Sequence, residues 1–145
     1  MAFPKPVAGL VIRYGYLWHD EYIAGRDEGV KDRPCAIIAA VSVGENQQTR
    51  VLVLPITHTP PERMELAVEI PAKVKQRLGL DDDRSWIVLS EWNDFVWPGP
   101  DLRSIAGARG RRTAYGPLPP SLFQVVRDRF VSLVTARASK PVHRT

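Results

Sequence analysis

The chain has 145 residues, of which 44% are hydrophobic and 8% aromatic, values typical of one globular domain with an ordinary core. Its single cysteine, Cys35, excludes an intrachain disulfide and lies in the apolar run PCAIIAAV, which favours a buried thiol in a reducing cytoplasm. The apolar runs are much shorter than a membrane span, and the segment MAFPKPVAG lacks the layout of a signal peptide, so we expect neither membrane insertion nor secretion.

The net charge of +4 is unevenly distributed along the chain. Residues 1–102 carry 11 Lys and Arg against 15 Asp and Glu, whereas residues 103–145 carry 9 against 1, which leaves that segment at +8. A basic segment of this kind attracts polyanions, and counterion release would make the binding depend on salt. Charge alone favours RNA or an acidic protein as a partner no more than it favours a solvated C-terminal segment.

The first half of the chain predicts strands around a long loop. Alternation with β-branched and aromatic residues predicts a strand in 8–18, and the polar segment 19–32 exceeds the usual hairpin connection, which makes it a candidate functional loop. The nearly continuous apolar run 33–43 is typical of a strand buried on both faces. A polar turn then leads into a strand over 49–57, so the two strands are expected to form a hairpin.

The second half predicts shorter strands and one clear helix. Strands are expected over 66–70 and 85–92, with a short helix or single turn in IPAKVKQRLGL between them and a loop over 104–116. After Pro119, apolar residues recur at three- and four-residue steps and predict an amphipathic helix. Strands followed by a helix predict a mainly β fold, a small and strongly bent sheet or barrel capped by the C-terminal helix. We expect one domain over 1–138 and a disordered tail over 139–145.

The sequence lacks the motifs of several common chemistries. Its three histidines show no short-spaced pairing and only one cysteine is available, so no metal site is expected. Neither a Gly-rich phosphate loop nor a nucleophile elbow occurs, which leaves no starting point for nucleotide hydrolysis or acyl transfer, and no cofactor is expected.

Polar residues at the ends of two predicted strands form the candidate site. In an antiparallel hairpin the start of 33–43 lies beside the end of 49–57, so Arg33 and Thr57 are expected to meet at one sheet edge. A guanidinium beside a hydroxyl suits a phosphate, because Arg donates two parallel hydrogen bonds and keeps its charge. In the alternative interpretation, Arg33 pairs with Asp32 or Glu28 and Thr57 satisfies a turn.

The order of several motifs resembles the MazF/PemK family of toxin endoribonucleases. In DRPCAIIAAV an Arg-Pro pair opens a buried strand, and in VLVLPITHTP the next strand ends in a Pro-x-Thr element. AVEI, SWIVLSEWNDF and the helix GPLPPSLFQVVRDRFVSLV follow in the family's order, so the resemblance covers roughly residues 9–135. It implies an SH3-like barrel of the MazF/CcdB type that forms a homodimer.

The resemblance also implies an activity, in which single-stranded RNA is cut without a metal and a cognate antitoxin neutralises the enzyme. Arg33 falls on the family's catalytic arginine and Thr57 on its catalytic threonine. The ribose 2′-hydroxyl would attack the adjacent phosphate to give a cyclic phosphate and a free 5′-hydroxyl. Arg33 would stabilise the charge on the phosphate and protonate the leaving oxygen, while Thr57 would hydrogen-bond a phosphoryl oxygen.

Further residues are candidates for supporting roles. Asp32, His58 and Thr59 are secondary candidates for the catalytic site, although strand alternation points His58 away from Thr57. Trp18, Trp86 and Trp92 are expected in the core or a dimer interface. Candidates for RNA contacts are aromatic and basic residues, namely Tyr22, Arg26, Lys31, Trp97, Arg109, Arg111 and Arg112.

Three departures from the family pattern keep a second function open, the first being WPGP over 97–100 in place of the usual polar continuation. Glu91 and Asn93 stand where many members carry Gln-x-Arg, and the loop AGRDEGVKD lacks the usual GSEQ run. The alternative is a growth inhibitor of the same fold that binds a protein target such as a topoisomerase, or an inactive regulator that only binds an antitoxin.

Overall fold

The computed structural model describes residues 3–29, 31–45, 48–105, 107 and 112–144. Within these residues the chain forms eight strands and three α-helices, with a 3-10 turn at Met64–Leu66. In chain order they are β1 (Leu10–Tyr14), α1 (His19–Ile23), β2 (Arg33–Val43), β3 (Gln48–Thr57), β4 (Ala67–Glu69), α2 (Ala72–Leu78), β5 (Trp86–Val88), β6 (Glu91–Val96), β7 (Ala114–Pro117), α3 (Pro120–Thr135) and β8 (Lys140–His143). The expectation of a mainly β fold with a helix near the C-terminus is confirmed. No helix in the described ranges is both long and apolar enough to cross a membrane.

Strand β3 is the centre of the sheet. The antiparallel order is β4-β5-β3-β2-β1-β7, and β6 also pairs with β3. Along its outer edge β3 pairs first with β6, over Arg50–Val53, and then with β5, over Ile56–Thr57. The last strand, β8, lies parallel to β6. The chain therefore brings the end of β3 between the beginning of β2 and β5.

The hairpin of β2 and β3 forms as predicted. Its register pairs Cys35 with Pro55 and Ala36 with Leu54, and a bulge follows Ile37. The buried part of β2 runs from Cys35 to Ile38, whereas Ala40 to Val43 are exposed. The end of the hairpin that carries Arg33 and Thr57 is therefore the end anchored in the core.

Two hydrophobic clusters lie on opposite faces of the sheet. One packs under α3 through Val126, which is 0% exposed, and Phe130, and includes Val11, Leu54 and Ile87. The other contains Ile12, Tyr14, Cys35, Val53 and Phe95. Cys35 is a buried free thiol, as the apolar run indicated. Burial of the α3 stripe confirms the predicted amphipathic helix.

Several elements differ from the sequence predictions. The expected strand over 85–92 divides into β5 and β6, the loop over 19–32 contains the five-residue α1, and the loop over 104–116 ends in β7. The predicted disordered tail is wrong for 140–143, which form β8 and bury Val142. The segment KPVH carries too few apolar residues to show a pattern, and its pairing partner β6 lies far away in sequence.

Candidate functional site

A cavity of about 480 Å³ opens where β2 begins and β3 ends. Arg33 and Thr57 both line this cavity. The hairpin register pairs Cys35 with Pro55, so extending it by two residues places Arg33 opposite Thr57. Directly opposed residues of an antiparallel pair point to the same face. The structure thus brings the two principal candidates together at one sheet edge.

The Arg33 guanidinium is held by a ring and not by a carboxylate. Its central carbon lies 4.8 Å from the centroid of the Trp18 ring, a cation–π distance. Its Nε is buried and has no hydrogen-bond partner. Asp32 instead pairs with Arg103, whose Nε lies 3.4 Å from Asp32 Oδ1. No ion pair of Arg33 occurs among the described residues, so its charge is available to an anion in the cavity.

Thr57 stabilises a turn through its side chain and also lines the cavity. Its Oγ1 accepts a hydrogen bond of 3.2 Å from the Thr59 backbone N–H. The turn role considered for Thr57 is therefore present. Because the hydroxyl oxygen is the acceptor there, its hydrogen remains a donor for a ligand oxygen.

His58 also lines the cavity, which the alternation argument did not expect. Strand β3 ends at Thr57 and the chain bends at His58 and Thr59, so the strand's two-residue alternation no longer applies. His58 Nε2 lies 2.8 Å from Asp81 Oδ2. His58 and Thr57 therefore line the same cavity although they are adjacent in sequence.

Asp81 links His58 to a buried lysine. The Lys75 Nζ lies 2.6 Å from Asp81 Oδ1, and it also donates to the Asp83 backbone oxygen, while its side chain is only 5% exposed. Partial burial raises the pKa of Asp81, but hydrogen bonds and charges from Lys75 and His58 outweigh it and lower the pKa below the usual value. Asp81 is therefore a fixed carboxylate between two cationic or polar groups.

The trio of His58, Asp81 and Asp83 has donor atoms within 4.8 Å of one another, a spacing that can hold a metal ion. The Lys75 ammonium already neutralises Asp81 from inside the fold. A cation bound there would lie close to that ammonium and be repelled by it. Two members of the trio, His58 and Asp81, are thus already bonded to protein groups.

A second cavity of about 400 Å³ adjoins the first. The two share Trp18, Thr57 and Thr59, and the second is lined by apolar residues that include Pro60, Pro61, Leu66 and Val88. Trp18 packs against the cluster of Tyr14 and Phe95 and edge-on against Tyr16 at 5.2 Å, and it also forms a wall of both cavities. Trp86 is buried and Trp92 packs edge-on against Phe130 at 5.3 Å, as expected of packing residues.

Glu91 and Asn93, which depart from the family pattern, form hydrogen bonds with the residues on either side of Trp18. Glu91 Oε1 accepts hydrogen bonds from the Tyr16 hydroxyl at 3.1 Å and from the His19 backbone N–H at 2.9 Å. The buried Asn93 accepts from the Leu17 N–H at 2.9 Å and donates to the Leu17 carbonyl at 2.8 Å. Sequence reasoning missed this role because the contacts join positions more than 70 residues apart.

The predicted RNA-contacting residues are dispersed. Lys31 lines the Arg33 cavity, as does Asp32. Tyr22 and Arg26 instead line a separate cavity of about 190 Å³ near Arg144. Trp97 packs against Phe95 at 6.2 Å.

Of the basic segment over 109–112, the structure describes Arg112 alone. The Arg112 guanidinium donates to the carbonyls of Ala114 and Tyr115, each at 2.9 Å. Its donors are thus engaged with the backbone at β7. Arg109 and Arg111 lie outside the described residues.

Comparison with protein-family models found no match, and no curated protein matches the chain. The family resemblance therefore rests on the sequence motifs and their order.

Proposed function

We propose that this protein is a toxin endoribonuclease of the MazF/PemK type that cuts single-stranded RNA without a metal. In this proposal the sheet is an SH3-like barrel, and the protein is a cytoplasmic homodimer neutralised by a cognate antitoxin. The observation that carries the proposal is the cavity in which Arg33, without an ion-pair partner among the described residues, lies beside Thr57. An arginine without an ion-pair partner beside a hydroxyl donor suits a phosphodiester.

The proposed chemistry is transesterification at one phosphate. The 2′-hydroxyl attacks the adjacent phosphorus, and negative charge accumulates on the nonbridging oxygens. Arg33 stabilises that charge, and Thr57 donates a hydrogen bond to one phosphoryl oxygen. Trp18 keeps the Arg33 fork in place by the cation–π contact, so less entropy is lost when phosphate binds.

The cavity dimensions fit this substrate class. A volume of about 480 Å³ lies within the range of small-ligand sites, and the adjoining apolar cavity offers a surface for an unstacked base beside Trp18. Lys31 adds a second positive charge to the lining.

Cleavage of a long unstructured RNA in the presence of a chelator tests the proposal. We expect wild-type protein to yield cyclic-phosphate and 5′-hydroxyl ends, and Arg33→Ala to lower kcat/KM by roughly 10²–10³-fold, as for loss of one transition-state donor. Arg127→Ala is the matched control, since Arg127 is exposed and pairs with the neighbouring Asp128.

Equal cleavage by Arg33→Ala and wild type would remove the mechanism. No cleavage by either protein would favour the growth inhibitor that binds a protein target, or the regulator that only binds an antitoxin. Co-purification with a small acidic protein encoded beside the gene tests the antitoxin part separately.

A further inference from the structure

We propose that His58, oriented by Asp81 and Lys75, is the general base that removes the proton from the ribose 2′-hydroxyl. The inference rests on the proposed RNA cleavage and assigns a proton transfer that Arg33 and Thr57 leave without a residue. Both His58 and Asp81 line the same cavity as Arg33 and Thr57.

The hydrogen bond to Asp81 selects the useful tautomer of His58. With Nε2 at 2.8 Å from Asp81 Oδ2, the neutral imidazole donates its N–H to the carboxylate, and Nδ1 keeps a lone pair that accepts a proton. A carboxylate in this position also stabilises the imidazolium that forms. The arrangement is that of a base and the group that orients it.

Lys75 fixes the orienting carboxylate. Its ammonium is buried and bonds Asp81 Oδ1, which leaves Oδ2 for His58, and it holds the following turn through the Asp83 carbonyl. The two oxygens of Asp81 therefore have separate partners. This division of contacts gives the exposed His58 ring one preferred position at the cavity wall.

The charged groups around His58 are mixed in sign. Lys31, Asp32, Arg33 and Asp81 line the cavity, and Lys75 and Asp83 lie behind Asp81. Asp32 is paired with Arg103 and Asp81 with Lys75, so the carboxylates beside the ring already have cationic partners.

The step balances without a co-reactant other than water. The O–H bond of the 2′-hydroxyl breaks and its proton goes to His58 Nδ1, while the 2′-oxygen forms a bond to phosphorus. The bond from phosphorus to the 5′-oxygen breaks with its electron pair, and that oxygen takes a proton from water. His58 then returns its proton to solvent, and the products are a cyclic phosphate and a 5′-hydroxyl.

The test is the dependence of kcat/KM on pH, from about pH 5 to about pH 9, across the range in which imidazoles change charge. We expect the wild-type profile to rise with pH and then bend to a plateau. His58→Gln should lose the bend and fall about 10²-fold at the plateau pH, as for loss of a general base. Asp81→Asn should lower the plateau kcat/KM by at least about 10-fold, because an amide can donate to Nε2 and then favours the tautomer whose Nδ1 carries the proton.

His19→Gln is the matched control, since the His19 side chain does not line either cavity beside Trp18, and circular dichroism checks that each variant is folded. If His58→Gln keeps the wild-type rate and bend while Arg33→Ala loses cleavage, the inference is wrong and the proposed function stands. If wild-type protein cleaves no RNA at any pH, both the inference about His58 and the proposed function are wrong.

Discussion

Trp18 and Arg33 form the contact on which the candidate site depends at the level of single residues. The guanidinium carbon is 4.8 Å from the ring centroid, and a cation–π contact of this kind contributes about 0.5–2 kcal/mol. We expect Trp18→Ala to lower kcat/KM for RNA cleavage by roughly 10-fold and Trp18→Phe by less, because Phe keeps a weaker ring face. Steady-state cleavage by the two variants measures this, and wild-type kinetics for Trp18→Ala would exclude the positioning role.

Glu91 gives a second prediction at the residue scale. Burial raises the pKa of its carboxyl, although the His19 N–H and the Tyr16 hydroxyl donate to it. The folded chain therefore holds this proton more tightly than the unfolded chain does. The contribution of Glu91 to stability is fully present below the usual carboxyl pKa and falls as pH rises through the raised folded value.

We expect Glu91→Gln, which keeps an acceptor oxygen for both donors, to remove this fall. The free energies of unfolding of the wild type and of the variant are measured by urea denaturation at intervals from about pH 4 to about pH 8, and the variant's value is subtracted from the wild-type value. That difference should decrease as pH rises. Glu45→Gln, at an exposed position, is the control, and a Glu91 difference that is constant with pH would contradict the raised pKa.

At the scale of elements, β8 ties the C-terminal segment to the core through Arg144. Its guanidinium lies 2.9 Å from Asp101 Oδ2 and donates to the Gly15 carbonyl at 2.6 Å and the Tyr14 hydroxyl at 3.1 Å. We expect Arg144→Ala to lower the free energy of unfolding by about 1–3 kcal/mol, since the Gly15 carbonyl loses its donor, whereas Asp101 still pairs with Arg103. Urea denaturation with Arg127→Ala as the exposed control checks this. A loss no greater than that of the control would mean that β8 is only loosely attached.

The sequence predicts those elements whose apolar pattern lies within the element itself. The β2 and β3 hairpin and α3 follow from apolar patterns that lie within each element, and Gly79 ends α2 with a left-handed φ of 74°. Strand β8 has no such pattern, because its stability comes from pairing with β6 and from the buried Arg144. The break between β5 and β6 likewise reflects two partners, β4 and β8, which local sequence does not encode.

The candidate site is assembled from segments that only the whole molecule brings together. Arg33 and Thr57 were predictable as neighbours, since one hairpin register joins them. His58 and Asp81 are 23 residues apart, and their contact requires α2 and the turn after it to pack beside the end of β3. The packing of Trp18 was predictable because an aromatic side chain in an apolar run is usually buried, whereas its place at the cavity was not. Its place at the cavity follows from the anchors at Glu91 and Asn93.

In the folded molecule, much of the positive charge of the C-terminal segment is paired with other protein groups. The segment 103–145 carries most of the net positive charge, yet many of its cations already have protein partners. Arg103 pairs with Asp32 and Asp101, Arg127 with Asp128 and Arg144 with Asp101, while Arg112 binds backbone carbonyls. The net charge of +8 over 103–145 therefore overstates the positive charge that is available to bind RNA. Lys31 and Arg33 are the two cations at the cavity.

The salt dependence of RNA binding distinguishes these two sources of charge. For single strands the slope of log affinity against log salt is about −0.7 per neutralised phosphate, so contacts by Lys31 and Arg33 give about −1.4, whereas the whole basic segment at +8 would give about −5.6. Fluorescence anisotropy with an uncleavable 2′-O-methyl oligonucleotide, from about 50 to about 300 mM salt, measures the slope. We expect a value near −1.4, which Lys31→Ala should reduce in magnitude by about 0.7 and Arg127→Ala should leave unchanged. A slope steeper than about −3 would show that the basic segment, and not the cavity, provides most of the phosphate contacts.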